Sequence, residues 1–380
     1  MNRPSRVAQI VLLVVALTAL MACDSSAPIR AGSSQPDPAP APVSNPEPDV
    51  EAMVARIDTT VDASFAYAYE QTKFVPPPGQ TLLIMGQTLQ EADAFAASFP
   101  DAPPPAGWAA YWGIPSADGL ATRSVNEHGD IHHHQGLADR FPNTVLQSAL
   151  WMVGTWDVAY RTTQGEFDPV IREFSAWAKA VGRPIYLRIG YEFDGPHNEL
   201  EPGEYVRAYR RFVDITRAEG VENVAFVWHS YGSPPYDGHP LSAWYPGDDY
   251  VDWVGISLFG HLYASSLNPA ADAVFEFART HKKPVMIAET SPVHGIARSG
   301  VEVWDDWFVR FFSLTYRKNV KAISFINADW SAYPIAVDLG WENARLQNNR
   351  FVSAAWFAET SKDRYLKASP ELFETLGYAP

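Results

Sequence analysis

Between residues 81 and 327, eight short apolar runs recur at near-even spacing, and segments of helical period separate most of them. That alternation restricts the fold more than any other feature of the chain. The runs are Thr81–Gly86, Gly107–Ile114, Val145–Val153, Pro184–Glu192, Val224–Ser230, Val251–Phe259, Pro284–Glu289 and Val320–Asn327. Four intervening segments, Phe167–Val181, Gly203–Glu219, Ala270–His281 and Val301–Lys318, place apolar residues three and four apart. Glycines follow two of them, Gly182 and Gly220, as helix stops do. The pattern predicts an α/β chain folded as a single (β/α)8 barrel, the TIM barrel, over residues 51–380. A doubly wound open sheet is the alternative, but it needs a glycine-rich phosphate turn after the first strand, and the sequence MGQTLQEADAF provides none.

The N-terminus reads differently. Arg3 and Arg6 precede an apolar run, Val7–Leu20, too short to span a membrane comfortably, and Leu20-Met21-Ala22 leads into Cys23. Residues 1–22 are expected to be a bacterial lipoprotein signal, with Cys23 lipidated after cleavage. Cys23 is the only cysteine of the chain, so neither disulfides nor thiol catalysis are expected. Residues 23–50 are rich in Pro, Ala, Ser and Asp without apolar period and read as an extended tether. The expected location is the cell envelope, with membrane contact made through the lipid. A net charge of −15 argues against nucleic acid as a partner. Residues 51–70 have mixed helical spacing and predict a helix packed under the domain.

In a parallel barrel, side chains at the C-terminal strand ends face the mouth, where chemistry occurs. The fourth run ends in Glu192 and the seventh in Glu289. In a ring of eight, strands four and seven end across the mouth from each other. Two carboxyl groups so placed are what glycosidic bond cleavage requires, one protonating the leaving oxygen and one attacking the sugar or activating water.

Three stretches, RIGYEFDG from Arg188, WYPGDDYVDWVGIS from Trp244 and KPVMIAET from Lys283, resemble the strand-four, strand-six and strand-seven regions of glycoside hydrolase family 26. Residues 203–228 are similar to that family's fourth helix and fifth strand. The resemblance covers about residues 81–360 and implies a retaining (β/α)8 enzyme acting on mannan, xylan, glucan or another β-linked polysaccharide. It implies Glu192 as acid/base, Glu289 as nucleophile, Arg188 as a cation lowering the nucleophile's pKa, and Trp330 as an aromatic platform under the sugar. Departures are Tyr191 where the family has His, and Ser257 and Phe259 where it has Asp and Tyr. Tyr191, Tyr231 or Tyr263 could replace the lost Tyr as hydrogen-bond donor to the nucleophile. Those departures also leave open a non-catalytic carbohydrate-binding lipoprotein on the same barrel.

Strand-end aromatic and basic residues supply further expected substrate contacts, namely Trp112, Trp156 and His229, beside Arg188, Tyr191 and Trp330. His132-His133-His134 lies in a long loop, and consecutive histidines cannot converge on one ion from a regular element. No metal and no cofactor are expected.

Overall fold

A computed structural model describes residues 48–152, 157–234, 238–297 and 301–379. The signal, Cys23 and Trp156 lie outside the described residues. Each of the eight runs forms a strand: β1 (Thr81–Gly86), β2 (Gly107–Gly113), β3 (Val145–Trp151), β4 (Ile185–Ile189), β5 (Val224–Ser230), β6 (Trp253–Leu258), β7 (Val285–Thr290) and β8 (Ala322–Phe325). They pair in parallel in sequence order, and β8 returns to β1 through Leu82–Ala322 to Met85–Phe325, closing the barrel.

Around it lie α1 (Leu89–Ser98), α2 (His134–Arg140), α3 (Asp168–Val181), α4 (Pro202–Ala218), α5 (Pro269–Thr280), α6 (Val309–Arg317) and α7 (Arg350–Thr360). Between β5 and β6 the described residues carry only a 3-10 turn, Leu241–Trp244. The helix expected over residues 51–70 is instead a five-residue helix, Val50–Val54, and a 3-10 turn, Ala63–Phe65. The intervening Asp58-Thr59-Thr60-Val61 favours extended backbone, and the Asp58 carboxylate takes the Thr60 amide in a turn.

Strand alternation divides the core in two. One set, including Leu82, Ile84, Ala109, Tyr186, Val227, Trp253, Met286 and Ala288, fills the barrel. Phe74, Leu372 and Leu376 join it. The Tyr186 hydroxyl donates to the Phe74 carbonyl at 2.6 Å and the Trp253 indole to the Lys73 carbonyl at 2.8 Å. This segment plugs the N-terminal end and leaves the C-terminal end as the mouth. The other set lies between strands and helices.

The WYPGDDYVD segment belongs to this scaffold. Trp244 is fully buried against Phe193 and Tyr205, its carbonyl accepts from the Trp228 indole, and Asp252 accepts the Phe226 amide at 2.8 Å.

Candidate active site

Glu289 reaches the mouth because β7 is irregular. Against β6 the register runs Ile256–Ile287 and then Ser257–Glu289, and against β8 it skips a residue at the same place. Met286 and Ala288 both point into the barrel, so strict alternation would turn Glu289 outward. One extra residue re-aims it inward. The Ala288 carbonyl accepts from Gln147 Nε2 at 2.8 Å.

There the Glu289 Oε1 accepts from Arg188 Nη1 at 2.5 Å and from the Tyr111 hydroxyl at 2.6 Å. The Arg188 guanidinium carbon sits 5.4 Å from the ring centroids of both Tyr111 and Tyr191. Burial pushes the Glu289 carboxyl up, the Arg188 charge pulls it down, and Glu192 adds to the rise. The Arg188 charge lowers the Glu289 pKa as expected, but burial is the larger effect and the net direction is upward. Burial, with the Glu289 charge beside it, also holds the Tyr111 hydroxyl well above its ordinary pKa, so it stays a donor. None of the three tyrosines expected to donate to Glu289 is this donor; it comes from β2.

Glu192 is presented by a turn, since β4 ends at Ile189 and Gly190 and Glu192 take φ of +54° and +53°. A side chain on Gly190 would come within 3.0 Å of Tyr205, so glycine is needed there. A left-handed glutamate is strained backbone held by its surroundings. The holding groups are Asn198, which donates to the carbonyls of Tyr191 and Glu192 at 2.8 and 2.7 Å, and Phe193, stacked on Trp228 at 4.6 Å. Asp194 accepts from the Ser230 hydroxyl and the Tyr231 amide, tying this turn to the end of β5; burial raises its pKa to about 6.

The two carboxyl groups are linked beneath the mouth. Arg188 Nη1 lies 3.3 Å from His229 Nδ1, His229 Nε2 lies 3.0 Å from the Ser257 hydroxyl, and that hydroxyl donates to Glu192 Oε1 at 2.5 Å. Arg188 has only donors, so His229 Nδ1 must accept and Nε2 must carry the proton. Burial and the Arg188 charge hold His229 well below its ordinary pKa, which keeps the ring neutral. On the other oxygen, His197 Nε2 lies 2.8 Å from Glu192 Oε2.

Several expected substrate contacts are relocated. Trp112 points outward, stacked on Phe174 of α3 at 5.2 Å and set against Phe212 of α4; with Ala109 inward, alternation puts Tyr111 in the mouth and Trp112 behind it. Arg188 and His229 are fully buried below the carboxylates, Arg188 bonded to Glu289 and His229 set between Arg188 and Ser257. Tyr191 is half-buried with its ring edge-on to Tyr111. Trp330 is half-buried beyond β8, its indole donating to the Ser291 hydroxyl at 2.8 Å, in a wall with Phe259, Tyr333 and Trp341. At the end of β3, Trp151 is about half exposed. The three consecutive histidines diverge: His134 binds the Gly119 carbonyl in the core, His133 the Ala121 carbonyl, and His132 stands edge-on to Tyr111.

Tyr111 and His197 are the site residues that the sequence did not single out. Each meets a carboxylate across a chain separation or loop path that no local pattern encodes.

The model of the family described as Glycosyl hydrolase family 26 matches residues 187–303, which span both carboxylates. A β-1,3-xylanase of a Vibrio species is 29% identical over 333 residues, covering 80% of this chain and 70% of that protein. A β-1,3-xylanase of an Alcaligenes species is 28% identical over 353 residues, covering 86% and 73%. Among solved structures, a modular endo-β-1,4-mannanase of Cellulomonas fimi superposes with a TM-score of 0.56 at 16% identity, covering 84% of this chain and 81% of that one. The barrel with its paired carboxylates and these relatives define a glycoside hydrolase acting on β-linked polysaccharide. Within that class the chain is a family 26-like glycosidase.

Proposed function

We propose that this enzyme hydrolyses internal linkages of a β-1,3-xylan by double displacement, with Glu289 as nucleophile and Glu192 as acid/base. The observation that carries the reading is the pair of carboxyl groups at one barrel mouth, joined through Arg188, His229 and Ser257. Arg188 and Tyr111 both engage Oε1 of Glu289, so Oε2 is the oxygen that attacks the anomeric carbon. As that bond forms, the C1–O bond to the leaving sugar breaks and Glu192 gives its proton to the departing oxygen. Water then attacks C1, Glu192 takes the water's proton, and Glu289 leaves as carboxylate. Trp330 stacks under the reacting sugar.

The xylan assignment is supported by the two β-1,3-xylanase relatives, and the absence of the family's strand-six Tyr and of its His before the acid/base disfavours mannan. Localisation follows from the sequence: a lipid on Cys23 and a tether of residues 24–50 would hold the barrel at the cell envelope. Incubation with β-1,3-xylan, β-1,4-xylan and β-1,4-mannan tests substrate and stereochemistry together. Proton NMR of early products is expected to show β-anomers from β-1,3-xylan; α-anomers first would exclude double displacement, and turnover of mannan alone would exclude the xylan reading. Radiolabelled palmitate is expected to enter the wild type and not Cys23→Ser.

A further inference from the structure

We propose that His197 and Glu192 hold one proton between them, on the Oε2 side of the carboxyl group, so that the alkaline limit of activity belongs to the pair and not to a lone glutamate. This rests on Glu192 being the acid/base.

The other oxygen of Glu192, Oε1, is already engaged as an acceptor. Arg188 offers no acceptor, so His229 presents a lone pair to it at Nδ1 and a proton to Ser257 at Nε2. The Ser257 oxygen therefore accepts from His229, and its own proton goes to Glu192 Oε1 at 2.5 Å. With Oε1 committed as an acceptor, a proton on Glu192 must reside on Oε2. That atom faces His197 Nε2 at 2.8 Å.

His197 is built into the site. Its ring lies against the backbone of Gly195, where any added Cβ would meet the ring within 2.6 Å. Tyr231, from the end of β5, stands edge-on to it at 5.3 Å. The imidazole is 44% exposed while the Glu192 side chain is 8% exposed. One member of the pair thus reaches solvent far more than the other, and two ionisable groups in such direct contact take up and lose protons as a pair. Burial lowers the pKa of His197, but the hydrogen bond and charge of Glu192, with Glu289 and Asp194 behind, outweigh it and the net shift is upward.

Tyr191, Tyr231, His261, Arg188, Glu289 and Asp194 also face the pair. Burial raises Tyr191 and Tyr231 and lowers His261, so all three stay neutral near pH 7. Arg188 stays charged, held against Glu289. Glu289 and Asp194 are the remaining acids facing the pair, and burial raises both. During turnover the shared proton passes to the leaving oxygen as the C1–O bond breaks, and the proton of the attacking water restores it.

The test compares pH profiles of kcat/KM on polysaccharide for wild type, His197→Gln and Gly195→Ala, with histidine-ring NMR of wild type and Glu192→Gln. His197→Gln keeps a donor near Oε2 but cannot hold a proton; Gly195→Ala keeps the imidazole but displaces it. The midpoint of the alkaline limb is expected to fall by about one pH unit or more in His197→Gln, a tenfold or greater change in proton affinity. A smaller fall is expected in Gly195→Ala, and the His197 ring should titrate at lower pH in Glu192→Gln than in wild type. An alkaline limb unmoved in both variants, or a His197 titration indifferent to Glu192→Gln, overturns the shared proton while leaving the double-displacement reading intact. Wild-type turnover of polysaccharide by Glu192→Gln would overturn both.

Discussion

The two carboxyl groups at the mouth are held by opposite means. Glu289 sits on a strand, is turned inward by an added residue, and receives a full cation and a phenol on one oxygen. Glu192 sits on a left-handed turn past its strand and receives only a neutral hydroxyl and an imidazole, one on each oxygen. A group that must remain an anion until it attacks is best fixed by a buried charge. A group that must lose and regain a proton each cycle is best held by partners that can themselves donate or accept. On the proposed roles the difference in scaffolding matches a difference in task, and each side can be disturbed separately.

Disturbing the Glu289 side should cost most. Glu289→Gln is expected to lower kcat on polysaccharide and on activated aryl glycosides alike, by about 10⁴-fold or more. Glu192→Gln should lower polysaccharide turnover by about 10²–10⁴-fold, yet spare the first step with an aryl leaving group that needs no proton. Equal losses on both substrates would erase the distinction between the two sides.

Arg188→Met should come next. Breaking a buried ion pair leaves the Glu289 carboxyl without its counter-charge and costs about 3–5 kcal/mol of stability. Without the cation the Glu289 pKa rises further, so the acid limb of kcat/KM moves to higher pH while the alkaline limb stays. Tyr111→Phe removes one hydrogen bond to a charged group, about 1.5–3 kcal/mol or roughly 10–100-fold in kcat, with the same direction of shift in the acid limb.

The smallest functional effect is expected for the two tryptophans, and it separates a platform from a scaffold. Trp330→Ala should raise KM about tenfold, near 1.4 kcal/mol, with little change in melting temperature. Trp112→Ala should cost about 3–5 kcal/mol of stability by leaving a cavity against Phe174, with KM for the folded enzyme little altered.

Much of the barrel was legible in the sequence because short apolar runs and helical spacing are local signals, and both glutamates close such runs. What decides their geometry was not local. The added residue at Ala288–Glu289 and the left-handed turn at Glu192 change direction without changing composition. Tyr111 is 178 residues from Glu289, and choosing it over Trp112 required knowing which face of β2 looks inward. Ser257 looked like a lost family residue; in place, it is the donor to Glu192. The family-resembling run WYPGDDYVD proved to be packing and backbone anchoring, because its Trp244 packs on Phe193 and Tyr205 and its Asp252 holds the β5 backbone at Phe226.

The central claim is that Glu289 forms a bond to the sugar. Mass spectrometry of the enzyme after reaction with a 2-deoxy-2-fluoro-β-xylobiosyl fluoride reads it directly. A peptide carrying one fluoroglycosyl group on Glu289 is the predicted result; an unmodified Glu289 with the sugar on another residue, or hydrolysis with inversion and no adduct, would contradict it.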